Sequence, residues 1–133
     1  MYEKVVIKFN DGKLVKGWAE DAPVRGEEIV ITPVLDPDHA RTVKLRDAKA
    51  VFFVKSFLGA PERLKRGGFP SGSCSEASRV LVEFKDGERL WGCASNRALP
   101  STAGDFFVSP TDPGSNNLRV YVAPGGVKDV VHD

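Results

Sequence analysis

The chain has 133 residues, a formal net charge of +1 and 41% hydrophobic residues, which suits one globular domain or two very small ones. A charge this close to neutral argues against non-specific coating of DNA, which needs a basic excess. No apolar run approaches the roughly 18 residues of a membrane-spanning helix, and the N-terminus lacks the pattern of a signal peptide. We therefore expect a cytoplasmic protein, away from membranes, whose Cys74 and Cys93 stay reduced.

The first predicted strand covers residues 4–9, where apolar residues alternate with more polar ones. Asp11 and Gly12 follow, and this pair favours a tight hairpin turn because glycine accepts a positive φ. A second strand with Val15, Gly17 and Ala19 on one face follows, and Gly17 lies near its middle. A mid-strand glycine weakens a flat sheet, so we expect it to mark a bend or the close approach of another backbone segment. Further strands are predicted near residues 28–34, 41–46 and 50–55.

A linker is predicted over residues 57–78, because glycine, proline and serine are frequent there. Within it, Pro61 begins and Gly67 follows a polar run, the order that favours one or two turns of helix. The linker separates a first unit, residues 1–56, from a second unit, residues 79–133.

The second unit repeats the pattern of the first. Residues 79–94 align without a gap on residues 4–19, and both segments contain an Asp-Gly turn and a mid-strand glycine. Further along, the alignment sets residues 106–110 on 29–33, 120–122 on 43–45, and 130–131 on 53–54. Strands are therefore expected near residues 105–110, 118–122 and 127–132. This ordered series predicts a tandem repeat of an all-β unit with five strands.

A strand, an Asp-Gly turn, a bent strand with a central glycine and three further short strands are also the plan of Sm-like and SH3-like barrels. Residues 9–12, 15–17 and 44–51 carry this resemblance in the first unit. Residues 49–59 further resemble a bacterial domain family of unknown function, which combines the Asp-Gly hairpin with a Lys-Ala-Val-Phe-Phe-Val ending. The resemblance implies an all-β fold of two tandem five-stranded Sm/SH3-like small barrels docked together, and it assigns no activity.

The polar residues do not form a catalytic or metal-binding pattern. Asp36, Asp38 and His39 are of ligand type, but the corresponding loop of the second unit lacks the second Asp and the His, so a turn explains them. Cys93 has no base close in sequence that would activate it as a nucleophile. We therefore predict a protein that is not an enzyme and that has no metal site and no cofactor.

Two sets of side chains are candidates for binding a partner. Strand alternation directs Lys16 and Trp18 away from the core of the first unit, and Trp91 away from that of the second. Outward tryptophans favour a contact surface, and two contacts stay open: a seam between the units, which their small size favours, and a groove for another protein. The second set is basic and suits nucleic acid: Arg41, Lys44, Arg46, Arg63, Lys65 and Arg66.

We predict a non-catalytic protein-binding or adaptor module, with a protein partner that the sequence does not name. An Sm-like RNA-binding protein is the alternative. It is the weaker one because acidic residues accompany the basic ones in both units, and because no aromatic platform for base stacking repeats in both. A homo-oligomer is compatible with either interpretation.

Overall fold

The computed structural model describes residues 2–19, 28–58, 79–94, 106–111, 116–123 and 125–132. Five strands precede the predicted linker: β1 (Glu3–Phe9), β2 (Leu14–Ala19), β3 (Glu28–Pro33), β4 (Arg41–Lys44) and β5 (Ala48–Val54). Five follow it: β6 (Arg79–Phe84), β7 (Arg89–Ala94), β8 (Phe106–Pro110), β9 (Asn117–Val122) and β10 (Val127–His132). A 3-10 turn, Leu45–Asp47, joins β4 to β5. The predicted strands are confirmed, while the helical segment predicted from Pro61 lies outside the described residues.

All ten strands join one antiparallel sheet in the order β10-β6-β7-β8-β9-β5-β1-β2-β3-β4. The sheet is open, with β10 at one edge and β4 at the other. The all-β class is therefore confirmed. A division into two separate small barrels is not confirmed, because β9 pairs directly with β5 and makes the sheet continuous. We call β1–β5 the first half and β6–β10 the second half.

The two halves have the same strand order, which is fifth, first, second, third and fourth strand when counted within each half. In the later strands, the residues that are equivalent by strand pairing differ by two positions from those that the sequence alignment matched. Val43 pairs with Ile29, and Val122 pairs with Phe106, so Val122 is the counterpart of Val43, where the sequence alignment placed Val120. The difference arises because the alignment of short apolar segments does not fix the length of the loops between them.

Both Asp-Gly turns have the predicted geometry. Gly12 has a φ of +89° and Gly87 a φ of +92°, a region that favours glycine because it has no Cβ. In each turn the aspartate accepts a hydrogen bond from the backbone nitrogen two residues later, at 2.9 Å for Asp11 and 3.0 Å for Asp86. The two hairpins are therefore equivalent in conformation as well as in sequence.

Strand β5 is buried along its whole length and divides its side chains between two cores. Val51 and Phe53 pack in the core of the first half, whereas Phe52 and Val54 pack in the core of the second half. The C-terminal part of β9 divides its side chains likewise, with Tyr121 in the first core and its neighbours Val120 and Val122 in the second. A strand that is buried on both faces needs a continuous apolar run, which accounts for the Ala-Val-Phe-Phe-Val segment of β5.

The mid-strand glycines lie where the neighbouring strand approaches closely. A Cβ atom on Gly17 would overlap the carbonyl oxygen of Thr32, and one on Gly92 would overlap Cγ1 of Val108. Both glycines are buried. The close backbone approach predicted from the sequence is therefore confirmed in each half.

Gly17→Val and Gly92→Val should each lower the free energy of unfolding by more than about 1 kcal/mol, because a branched side chain overpacks a closed position. Urea denaturation followed by circular dichroism measures the change. Thr42→Val, at an exposed position of edge strand β4, is the control and should change this free energy by less than about 0.5 kcal/mol. Midpoints equal to that of the wild type would show that the glycines are incidental.

Separately produced fragments of residues 1–58 and 79–133 should each be less stable than the full chain. The second core takes Phe52 and Val54 from the first half, and the first core takes Tyr121 from the second half, so each fragment exposes apolar surface that the full chain buries. Thermal melts of both fragments and of the full chain, followed by circular dichroism, measure the difference. A fragment that melts at the temperature of the full chain would contradict this expectation.

Candidate functional site

The second strand has the predicted alternation of buried and outward side chains. Gly17 and Ala19 are buried, and Ala19 packs in the first core. On the opposite side of the strand, Leu14 and Lys16 are exposed and Trp18 is half-buried. Trp18 is thus placed on the outward side of the sheet, as the strand pattern predicts.

Phe57, three residues beyond the end of β5, covers the outward tryptophan. The ring centres of Trp18 and Phe57 lie 5.2 Å apart, and the two rings are almost perpendicular. Lys16 Nζ donates a hydrogen bond to the carbonyl oxygen of Phe57 at 2.6 Å, and Lys4 Nζ lies 5.9 Å from the centre of the Phe57 ring. We call this group, Lys4, Leu14, Lys16, Trp18 and Phe57, the Trp18 face.

Sequence reasoning missed Phe57 because it lies in a segment with the composition of a linker. The sequence feature that could have indicated its role is the large apolar side chain only a few residues after a buried strand. Phe57 also packs against the second core, so it ties the Trp18 face to the junction of the halves.

The strand pairing that joins the halves is between β5 and β9. Strand β2 lies between β1 and β3, and β7 lies between β6 and β8. Trp18 contacts Phe57 of its own half. Trp91 is half-buried, and its carbonyl oxygen accepts a hydrogen bond from the backbone nitrogen of Thr111 at 3.1 Å. A partner-binding role for Trp18, Trp91 and Lys16 stays a prediction.

The basic residues predicted as a nucleic-acid surface fall into two groups. Arg41, Lys44 and Arg46 are exposed on β4 and the 3-10 turn that follows it. A second group lies outside the residues that the structure describes: Arg63, Lys65 and Arg66. Lys49, close to the first group in sequence, is instead buried and faces the second half, so it adds no charge to an exposed basic surface.

Lys49 forms an ion pair that joins the halves. Only 5% of its side chain is exposed, and burying an ammonium group this deeply is unfavourable unless it is paired. Its Nζ donates hydrogen bonds to Asp86 Oδ2 at 2.7 Å and to Glu88 Oε1, and it lies 4.7 Å from the centre of the Phe84 ring. The acceptors lie in the turn between β6 and β7, so this turn neutralises a charge buried in the other half.

The hydrogen bond from Lys49 lowers the pKa of Asp86 below its usual 3.8, and the bond from the Glu88 backbone nitrogen lowers it further. A group whose pKa is lower in the folded than in the unfolded state stabilises the fold above the unfolded pKa. That stability is lost as the pH falls through the folded pKa. About half of the Asp86 side chain is exposed, 51%, so solvent screening keeps the effect modest. The sequence indicated only the turn-forming role of Asp86.

The loop with the ligand-type residues forms a local hydrogen bond. His39 Nδ1 and Asp36 Oδ1 lie 2.8 Å apart in an exposed turn. Within the described ranges, no three or more His, Cys, Asp or Glu side chains are grouped so that they could hold a metal ion. The bond between Asp36 and His39 agrees with the interpretation of this segment as a turn.

The expectation that Cys93 stays reduced is wrong. Cys93 is disulfide-bonded, and the sequence contains one other cysteine, Cys74, which lies outside the described residues. A structural disulfide is typical of oxidising compartments, so the cysteines give no support to the predicted cytoplasmic location, which stays a prediction. The part of the chain that the structure describes contains no helix long and apolar enough to cross a membrane.

Comparison with known proteins identifies a family and no activity. The model of a family of unknown function, DUF6982, matches residues 1–132, and the chain therefore belongs to this family. The match extends across both halves of the sheet. No curated protein and no solved structure matches the chain.

Replacing both acceptors of the buried ion pair, as Asp86→Asn with Glu88→Gln, should lower the free energy of unfolding by about 3–5 kcal/mol, because Lys49 would stay buried without a counterion. Lys49→Met should cost less, since the carboxylates that remain are partly exposed to water. Urea denaturation at neutral pH compares the two variants. A larger loss for Lys49→Met would show that the lysine does not depend on these carboxylates.

The same ion pair predicts a pH dependence. Between neutral pH and about pH 3, the wild type should lose more stability than Asp86→Asn, because only the wild type carries the carboxylate with the lowered pKa. Asp11→Asn, in the equivalent turn of the first half, is the matched control and should follow the wild type. Identical pH profiles for the wild type and Asp86→Asn would contradict the assignment.

Proposed function

We propose that this member of the DUF6982 family is a non-catalytic protein-binding module, and that the Trp18 face is its binding surface. The observation that carries the proposal is the pairing of Trp18 with Phe57 on the outward side of the sheet. Trp18 is not a member of either core; it is only half-buried, and the ring that it contacts is that of Phe57. Aromatic residues at such positions are enriched where proteins bind one another.

We also infer that the two halves are copies of one ancestral Sm/SH3-like unit, within the boundaries 1–56 and 79–133, in a bacterial cytoplasmic protein. The common strand order and the two equivalent Asp-Gly turns support the shared origin. In this proposal, residues 57–78 are a connection between copies, and binding requires the tandem as a whole because the cores are shared.

A non-catalytic role is supported by what the polar side chains near the junction do. Asp86 and Glu88 both pair with Lys49, and Arg119 makes two hydrogen bonds to the carboxylate of Glu3, at 3.1 and 2.7 Å. These charged groups are engaged in ion pairs between the halves, so fewer charged side chains near the junction are available for acid–base chemistry.

RNA binding is the second candidate, favoured by the exposed basic segment that contains Arg41, Lys44 and Arg46. If phosphates were the ligand, affinity for a single-stranded oligo-uridine would fall steeply as salt is raised. The substitutions Arg41→Ala and Lys44→Ala would also lower this affinity, whereas Trp18→Ala would leave it unchanged. This pattern separates the two candidates.

Cross-linked pull-down from the native cells tests the main proposal, with wild type, Trp18→Ala and Leu35→Ala as baits. Leu35 is 97% exposed in the loop after β3 and serves as the control for loss of an exposed apolar side chain. We expect the wild-type and Leu35→Ala baits to capture at least one protein about fivefold or more above the amount captured by Trp18→Ala. A difference of this size is expected when a binding hot spot is lost. Circular dichroism checks that all baits are folded. If no captured protein depends on Trp18, the proposal fails.

A further inference from the structure

The lysines of the Trp18 face are not neutralised within the described chain. Lys4 and Lys16 are exposed, and no described carboxylate lies within ion-pairing distance of either. Lys16 instead bonds a backbone carbonyl, which holds its charge beside the aromatic pair. An ammonium group has three donors, so Lys16 retains capacity for a carboxylate.

Several cations elsewhere in the described chain do have carboxylate partners. Arg89 and Lys128 both approach Glu83, at 3.5 and 3.3 Å, and Arg119 binds Glu3. Lys44 and Glu28 lie opposite each other on β4 and β3 but are not within ion-pairing distance. The Trp18 face therefore carries two lysines, Lys4 and Lys16, without a carboxylate partner in the described chain, which complements an anionic partner.

Exposed apolar side chains accompany these lysines. Leu14 is 50% exposed on β2, on the same side as Lys16 and Trp18. Side chains at alternate positions of a strand are about 7 Å apart, so Leu14, Lys16 and Trp18 form an apolar–cationic–apolar row at that spacing. An extended peptide lying along β2 presents its own alternate side chains at the same spacing, which makes the row complementary to an apolar–acidic–apolar sequence.

We propose that the Trp18 face binds an extended acidic protein segment in which a carboxylate lies between two apolar side chains, each two residues away. The carboxylate contacts Lys16, a further acidic residue contacts Lys4, and the apolar side chains pack on Leu14 and Trp18. This inference rests on the proposed protein-binding function and adds the chemical class of the partner.

A protein segment fits this face better than a nucleic acid. Phe57 already covers Trp18 edge to face, so part of the ring surface that a base would stack on is occupied. Leu14, next to Lys16 in the row, can bury apolar surface against an apolar side chain but not against a phosphate. The net charge of +1 is also low for binding that depends on phosphates.

Fluorescence anisotropy with three labelled peptides tests the proposal on the full chain. The acidic probe is Leu-Ser-Glu-Ser-Leu-Ser-Glu-Ser-Leu, and the others replace each Glu with Gln or with Lys. We expect the acidic probe to bind about tenfold more tightly than the Gln probe, and more weakly as salt is raised from about 50 to 150 mM because exposed charges are screened. Lys16→Glu and Lys4→Glu should each weaken the acidic probe about fivefold or more.

Lys85→Glu is the matched control, since Lys85 is an exposed lysine of the second half, and it should leave affinity within about twofold. Thermal melts confirm that each variant is folded. Equal affinity for the Glu and Gln probes, or an effect of Lys85→Glu as large as that of Lys16→Glu, would overturn the acidic preference. Displacement of the acidic probe from the Trp18 face by oligo-uridine would also overturn the proposal and would favour a nucleic acid as the ligand.

Failure of this inference is distinguishable from failure of the proposed function. If no peptide binds, yet a protein is captured from cells in a Trp18-dependent way, the acidic extended segment is wrong and the protein-binding function stands. If peptides bind independently of charge but Trp18→Ala abolishes binding, the same conclusion follows. If neither peptide binding nor capture depends on Trp18, both proposals are overturned.

Discussion

The fold depends on the antiparallel pairing of β5 with β9, which joins two five-stranded halves into one sheet. Because this pairing lies between two cores, side chains on both faces of β5 and of the C-terminal part of β9 are buried. Phe53 and Tyr121 pack in the first core, and Phe52 and Val120 pack in the second. Neither core is complete without residues from the other half, so the two halves share their packing.

A charge within this apolar junction sets a second constraint. Lys49 has to place its ammonium group where a counterion is available, and the turn between β6 and β7 supplies Asp86 and Glu88. Asp86 therefore has two roles: it accepts the backbone hydrogen bond that shapes its own turn and neutralises a lysine of the other half. Unlike an apolar contact, an ion pair of this kind favours one relative placement of the halves, because a displaced Lys49 would be buried without a partner.

The edges of the sheet differ from the junction in composition. Strand β4 is short and exposes Arg41 and Lys44, and β10 exposes Lys128 and Asp129 beside a register shift in its pairing with β6. Short length, charge and irregular pairing all discourage addition of another strand at an edge. The apolar pairing surface is thus concentrated at the buried junction, and the Trp18 face remains as an outward apolar and cationic surface of the first half.

The sequence by itself determined the elements and the turns. Period-two alternation and the Asp-Gly pairs located the strands and hairpins, and the mid-strand glycines marked where strands approach closely, because these are local consequences of backbone geometry. Alternation also placed Trp18 on the outward side. Tertiary structure alone decided that β5 pairs with β9, that Lys49 meets Asp86, and that Phe57 covers Trp18, because these contacts join residues that are 37 or more positions apart. Neither local pattern nor composition encodes which distant segments meet. The apolar run of β5 indicates a buried strand, but it does not indicate which strand pairs with it.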